Sequence, residues 1–179
     1  VLLQTIPFMT DAGYSRTTAA FMIAIASIPA LVSKPLWGYL IDRLNPKPLA
    51  AMSALCTGIA MAMIVFSVQA RAEFWEYVAF FVLGLGWGGM IPLQEVIWAS
   101  YFGRRHLGAV RSTALPFALV LGAGGPLAVA YYHDVVGSYD GAFLAIAASC
   151  VVSAALLLAL PRAAQRAVDG GPSAARARE

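Results

Sequence analysis

Five stretches of this sequence, 17–40, 48–68, 74–101, 112–132 and 141–160, are apolar enough and long enough to cross a lipid bilayer as helices. A hydrocarbon core about 30 Å thick takes roughly 20 residues of helix to cross, with some tilt allowed for longer runs. The connections between the stretches are short, and no second, polar domain interrupts them. Composition agrees: 60% of the 179 residues are hydrophobic and 12% charged, where soluble globular domains average about 45–50% and about 25%. An ordinary water-soluble domain is excluded, and the expected fold class is an all-α membrane protein, a helical bundle in a lipid bilayer. Residues 1–10 are apolar but too short to cross, and Asp11-Ala12-Gly13-Tyr14-Ser15 reads as a turn that ends one helix and caps the next. The first segment therefore reads as the end of a longer helix and Val1 as a cut end, with neither the basic leader nor the cleavage site of a signal peptide. Residues 162–179 are polar and Ala/Arg-rich and are expected to be a disordered tail.

The twelve basic residues fix an expected orientation. Basic residues near a span are retained on the cytoplasmic side. Arg43, Lys47, Arg104, Arg105, Arg111 and the tail's Arg162, Arg166, Arg176 and Arg178 fall on one side, and only Arg16 and Arg71 on the other. Nine against two places the C-terminus in the cytoplasm of a multi-pass protein of the cell membrane. The pI of about 9.1 then reports topology, and nucleic-acid binding, which needs its basic residues gathered on one exposed face, is not expected.

The spans divide into two kinds. The second and fifth carry no charge and no internal proline, show small-residue rows such as Ala54, Gly58 and Ala62, and read as scaffold. The first, third and fourth hold Pro29, Pro35, Pro92, Pro116 and Pro126, the glycines Gly84, Gly86, Gly88 and Gly89, and the charges Lys34 and Glu95. Broken backbone ladders are tolerated at membrane depth against protein or water, so these three read as lining a cavity. Lys34, Gly38 and Asp42 recur at i, i+4 and i+8 and share one helix face, Lys34 lying roughly 12 Å deeper than Asp42. Lys34 reads either as a cation for an anionic substrate or as a lysine snorkelling to the interface. On the third span Gly84, Gly88, Glu95 and Ala99 share a face suited to helix packing, and Trp87, Met90, Gln94 and Trp98 a face nearer the lumen. The candidate substrate-binding set is Lys34, Trp87 and Gln94. Glu95 reads as a proton carrier or as a structural or gating ion pair with Arg43 or Arg104.

An enzyme is not expected. The histidines, His106 and His133, sit at span ends on opposite sides, and neither an H-E-x-x-H nor a G-x-S-x-G motif occurs. Cys56 and Cys150 lie in separate apolar runs and suit buried hydrophobes. No cofactor and no metal ligand set is indicated.

The run Lys34-Pro35-Leu36-Trp37-Gly38-Tyr39-Leu40-Ile41-Asp42-Arg43 resembles the G-x-x-x-D-R loop motif of the major facilitator superfamily, in the copy joining its eighth and ninth helices. Tyr101-Phe102-Gly103-Arg104-Arg105-His106-Leu107-Gly108 is similar to that family's loop between the tenth and eleventh helices, and Gly125-Pro126, Tyr132-His133-Asp134 and Gly137-Ser138-Tyr139 to the end of the eleventh. The resemblance implies the second half of a twelve-helix secondary active transporter, most of its seventh helix missing, which rocks against an absent N-terminal six-helix half in alternating access. It also implies that the ninth and twelfth helices stand outside the pathway. Within the superfamily the chain looks most like monocarboxylate and oxalate/formate carriers, with Lys34 in the place of the basic residue that helps bind the carboxylate, and with proton or anion coupling. Ala30, one turn before Lys34, departs from the pattern by not being acidic. The motif's Gly38, Asp42 and Arg43 are implied to gate, together with Glu95 and Arg104. Two other readings keep the same topology, a six-helix subunit or receptor acting as a dimer and a carrier for a non-anionic solute.

Overall fold

The computed structural model describes residues 2–102 and 107–159. They form six helices, α1 (Leu2–Asp11), α2 (Arg16–Arg43), α3 (Pro46–Gln69), α4 (Glu73–Phe102), α5 (Leu107–Val136) and α6 (Asp140–Ala159), and no strand occurs among them. The chain is an all-α bundle, and the helices from α2 to α6 are each long and apolar enough to cross a membrane.

Local chemistry sets the boundaries. Ser15 caps α2 by accepting from the Thr18 amide at 3.1 Å. Asn45 caps α3 by accepting from the Lys47 amide at 3.1 Å, with Pro46 at the first helical position, where its missing N–H costs nothing. Gly137, at φ +77, closes α5 by donating to the His133 carbonyl at 2.7 Å, a left-handed position that glycine takes without strain. The tail, 160–179, lies outside the described residues. The fourth membrane helix is longer than its apolar run, beginning at Leu107 instead of near residue 112 and ending at Val136 instead of near residue 132. Polar residues at its ends, Arg111 and His133 among them, continue the helix beyond the apolar part.

Packing arranges the long helices in the lateral order α2, α4, α3, α6, with α1 against α2 and α5 touching its neighbours sparsely. At one end of the bundle Phe8, Met22, Met61, Ile64, Phe80 and Phe143 form the main core. At the other, Trp37 packs with Leu49, Ala50 and Leu93. The glycine cluster of α4 sits where that helix is pinched between two neighbours. A methyl group on Gly84 or Gly88 would collide with the α2 backbone at Ala26 and Ala30, and one on Gly86 would lie 2.7 Å from Thr57 Oγ1 of α3. Ser53 Oγ donates to the Gly86 carbonyl at 2.7 Å, and the Trp37 indole donates to the Leu85 carbonyl at 2.9 Å. Small residues thus let backbones approach, and side-chain hydrogen bonds fasten the crossing. The Gly84 and Gly88 face expected to press on another helix does so, against α2.

Enclosure does not simply follow the division into plain and proline-bearing helices. Of the plain pair, α3 is the most enclosed of the long helices, with 61% of its apolar stretch buried, and α6 has 17%, whereas no residue in that of α5 is fully buried. The cause is position: α3 is covered by α4 on one side and α6 on the other. The proline-bearing α2, α4 and α5 instead leave broad faces uncovered by this chain.

Candidate functional site

The uncovered side of α2 and α4 carries the first group of residues. Lys34 is exposed, and it shares a cavity of about 250 Å³ with Ala26, Ser27, Ala30, Leu31 and Trp87. Pro35 follows Lys34 and has no N–H to give to the Leu31 carbonyl in the cavity wall, so the wall includes polar backbone. Ala30 sits where an acid would neutralise the lysine. Among the described residues no carboxylate comes within 4 Å of the Lys34 ammonium. Trp87 is 42% exposed. The structure therefore brings Lys34 and Trp87 together. Gln94 is separate: it lies seven residues beyond Trp87 on the same exposed stripe of α4 and borders another groove, of about 240 Å³, with Met90, Trp98, Ser53 and Ser153.

The motif residues follow on α2. Gly38 meets nothing within 4 Å of where a side chain would begin, so no contact inside this chain requires glycine there. Asp42 and Arg43 are exposed at the helix end, and the Arg43 guanidinium lies 4.7 Å from the Tyr39 ring centre. Glu95 pairs with Arg111 at 3.4 Å, so the expected Arg43 is not its partner. The helical start at Leu107 is the reason, because it carries Arg111 into α5 alongside α4 instead of leaving it in a connection. Arg104 lies outside the described residues.

The opposite end of the bundle holds a polar constellation that the sequence did not announce. His133 Nε2 lies 2.8 Å from Asp11 Oδ2, its ring stacks on Tyr139 at 4.1 Å, and Nδ1 lies 3.7 Å from Asp134 Oδ1. Gln69 donates to Asp140 at 2.8 Å. Burial, and then the charges of Asp11 and Asp134, push the Tyr139 phenol up from its ordinary value. Beside this group Tyr14, in the α1–α2 turn, donates to Glu76 Oε1 at 2.5 Å, and burial together with that bond pushes the Tyr14 phenol up to about 12. Glu76 is fully buried. Its signal in the sequence is position: Glu76, Ala79, Phe80 and Leu83 recur at i, i+3, i+4 and i+7, and all four are buried. An acid on a helix's buried stripe differs from an acid at a helix end, and that stripe is what marks Glu76. Among the described residues no cluster suited to a metal ion occurs.

Five helices long and apolar enough to cross a membrane, with a glycine-pinched α2–α4 crossing, define a multi-pass helical membrane protein. Comparison with known proteins makes the class definite: residues 1–178 match the Major Facilitator Superfamily, and the chain belongs to that family of transporters. Monocarboxylate transporter 13 of Rattus norvegicus is 26% identical over 163 residues, covering 89% of this chain and 37% of the relative. The probable transporter mch1 of Aspergillus fumigatus is 31% identical over 122 residues, 62% of this chain and 19% of the relative. An uncharacterized MFS-type transporter, YhhS, of Salmonella typhimurium is 28% identical over 168 residues, 89% and 40% respectively. This chain thus spans well under half the length of these relatives. No solved structure matches it. The family carries small molecules across membranes, so this is a transporter sequence and not an enzyme.

Proposed function

We propose that this chain forms the second half of a secondary active transporter that moves a small organic anion, a monocarboxylate by preference, across the cell membrane by alternating access. The observation that carries the reading is Lys34, a cation in a spanning helix with no carboxylate within 4 Å among the described residues, beside Trp87 in an open cavity. A charge placed at membrane depth costs roughly 2.5–3.5 kcal/mol on insertion scales, and an anionic ligand offsets that cost. The names of two relatives, monocarboxylate transporter 13 from rat and from Bos taurus, support the same substrate class. Gln94, further along the exposed stripe of α4 but in a groove of its own, is a second candidate contact for the solute.

Gly38, Asp42 and Arg43 belong to the gate, with Glu95 and Arg104. A bare Gly38 and an exposed Asp42 suit docking against helices of a preceding six-helix half, whose existence the length of the relatives supports. The nine-to-two distribution of basic residues supports a cytoplasmic C-terminus. Proton or anion coupling drives the cycle. Uptake of labelled small mono- and dicarboxylates by the full-length carrier in proteoliposomes, with and without a proton gradient, tests the reading. Saturable uptake of a monocarboxylate is expected, and failure of every organic anion would remove Lys34 from the substrate site.

A further inference from the structure

We propose that Glu76 is a proton-binding site of this carrier, loaded from the water at the sparsely basic end of the bundle and gated by the α1–α2 turn. The proposal rests on the reading of the chain as part of a secondary transporter. It starts from a buried acid that the Lys34 cavity does not use.

Glu76 is 0% exposed, and its side chain lies on the face of α4 that also buries Ala79, Phe80 and Leu83. Oε1 accepts from the Tyr14 hydroxyl. Oε2 is buried with no hydrogen-bond partner. Tyr14 from the α1–α2 turn bonds it, and the charged groups near enough to be felt are Glu73 on its own helix and Arg71 from the α3–α4 turn. Yet no basic nitrogen comes within 4 Å of the Glu76 carboxyl among the described residues. A buried carboxylate held by one neutral donor is a poor arrangement, because an uncompensated charge leaves water at a cost of several kcal/mol. One proton removes the charge. The step is a single transfer, carboxylate plus a proton from water giving the carboxylic acid. The new O–H forms on Oε2, the oxygen without a donor, and Tyr14 keeps its bond to Oε1.

Release needs the cover to move. The cover is the turn bearing Gly13, Tyr14 and Ser15, through the Tyr14 hydroxyl on Oε1, and Arg71 lies beside it, with its guanidinium 4.0 Å from where a Gly13 side chain would begin. Lifting the turn takes Tyr14 off Oε1 and admits water, and Arg71 is then placed to pair with the freed carboxylate as the proton leaves. The helix end that leads into this turn is fastened to α5 through Asp11 and His133, and α5 is fastened to α4 near its other end through Arg111 and Glu95. Proton loading at Glu76 is thereby connected to the helices of the uncovered face.

Infrared spectroscopy of the full-length carrier in liposomes at neutral pH tests the site directly. A protonated-carboxyl C=O band that moves in D₂O and is lost in Glu76→Gln is expected, and identical carboxyl bands in both proteins would overturn the proposal. Should Glu76→Gln not assemble, Tyr14→Phe removes the hydrogen bond to Oε1 and must shift that band; an unmoved band would equally overturn it. Uptake of labelled L-lactate supplies the second arm: Glu76→Gln should lose accumulation driven by a proton gradient while keeping lactate exchange, and intact gradient-driven accumulation would refute the coupling. If the wild-type carrier does not move lactate, the infrared band alone decides the proton site, and the anion reading stands or falls separately on the wider set of mono- and dicarboxylates.

Discussion

Arg111 Nη1 stands 3.4 Å from Glu95 Oε1 and joins the beginning of α5 to the later part of α4. The two helices share few other contacts, so this pair is a principal tie between a well-packed helix and a loosely held one. Both side chains are accessible, at 67% and 38% exposed, so the tie is one that can break and re-form. We expect Glu95→Gln and Arg111→Gln to alter transport rate in the same direction and to be non-additive, with a coupling of about 0.2–1 kcal/mol. A double-mutant cycle on the full-length carrier checks this; strictly additive effects would mean that the pair does not act in the cycle.

Gly84 and Gly38 should respond oppositely to added side chains. At Gly84 a methyl group meets the Ala26 backbone, whereas at Gly38 it meets open space. Gly84→Val should cost about 1–3 kcal/mol by overpacking the α2–α4 crossing. Gly38→Ala should leave stability unchanged or raise it by up to about 1 kcal/mol, since helical glycine carries an entropic penalty. Thermal unfolding in detergent separates the two. A Gly38→Ala protein that is stable yet slow in transport would mark Gly38 as a contact with the other half.

Tyr14 gives the account a pH signature. Its phenol is pushed up to about 12 in the folded chain, while an unfolded tyrosine ionises near 10. Between those values the unfolded chain has lost a proton that the folded chain retains, so stability falls as pH rises from about 10 to about 12 and is unaffected by this group below that window. Alkaline unfolding should show this loss, and Tyr14→Phe should remove it. A wild-type curve identical to that of Tyr14→Phe would contradict the part-buried Tyr14–Glu76 contact.

Much of the bundle is legible in the sequence because hydrocarbon is a demanding solvent. Apolar run lengths announce the helices, and the spacing of Gly84 and Gly88 announces a helix-packing face. What sequence spacing does not carry is rotation and neighbour choice. Arg111 counted as a loop residue because the apolar run begins after it, yet the helix starts earlier and hands Glu95 a different partner. Glu76, near the start of its span, drew no reading from the sequence, yet it is buried and bonded by Tyr14 of the α1–α2 turn. Gln94 belongs to the same stripe as Trp87 by periodicity, but the approach of α3 and α6 gives it a groove of its own.

In the proposed cycle Lys34 binds the transported anion, and equilibrium binding to the full-length carrier tests that role. Lys34→Gln should weaken monocarboxylate affinity by about tenfold or more, equivalent to about 1.4 kcal/mol, while Arg43→Ala should slow transport and leave affinity close to wild type. Equal loss of binding in the two variants, or no loss in Lys34→Gln, would contradict it.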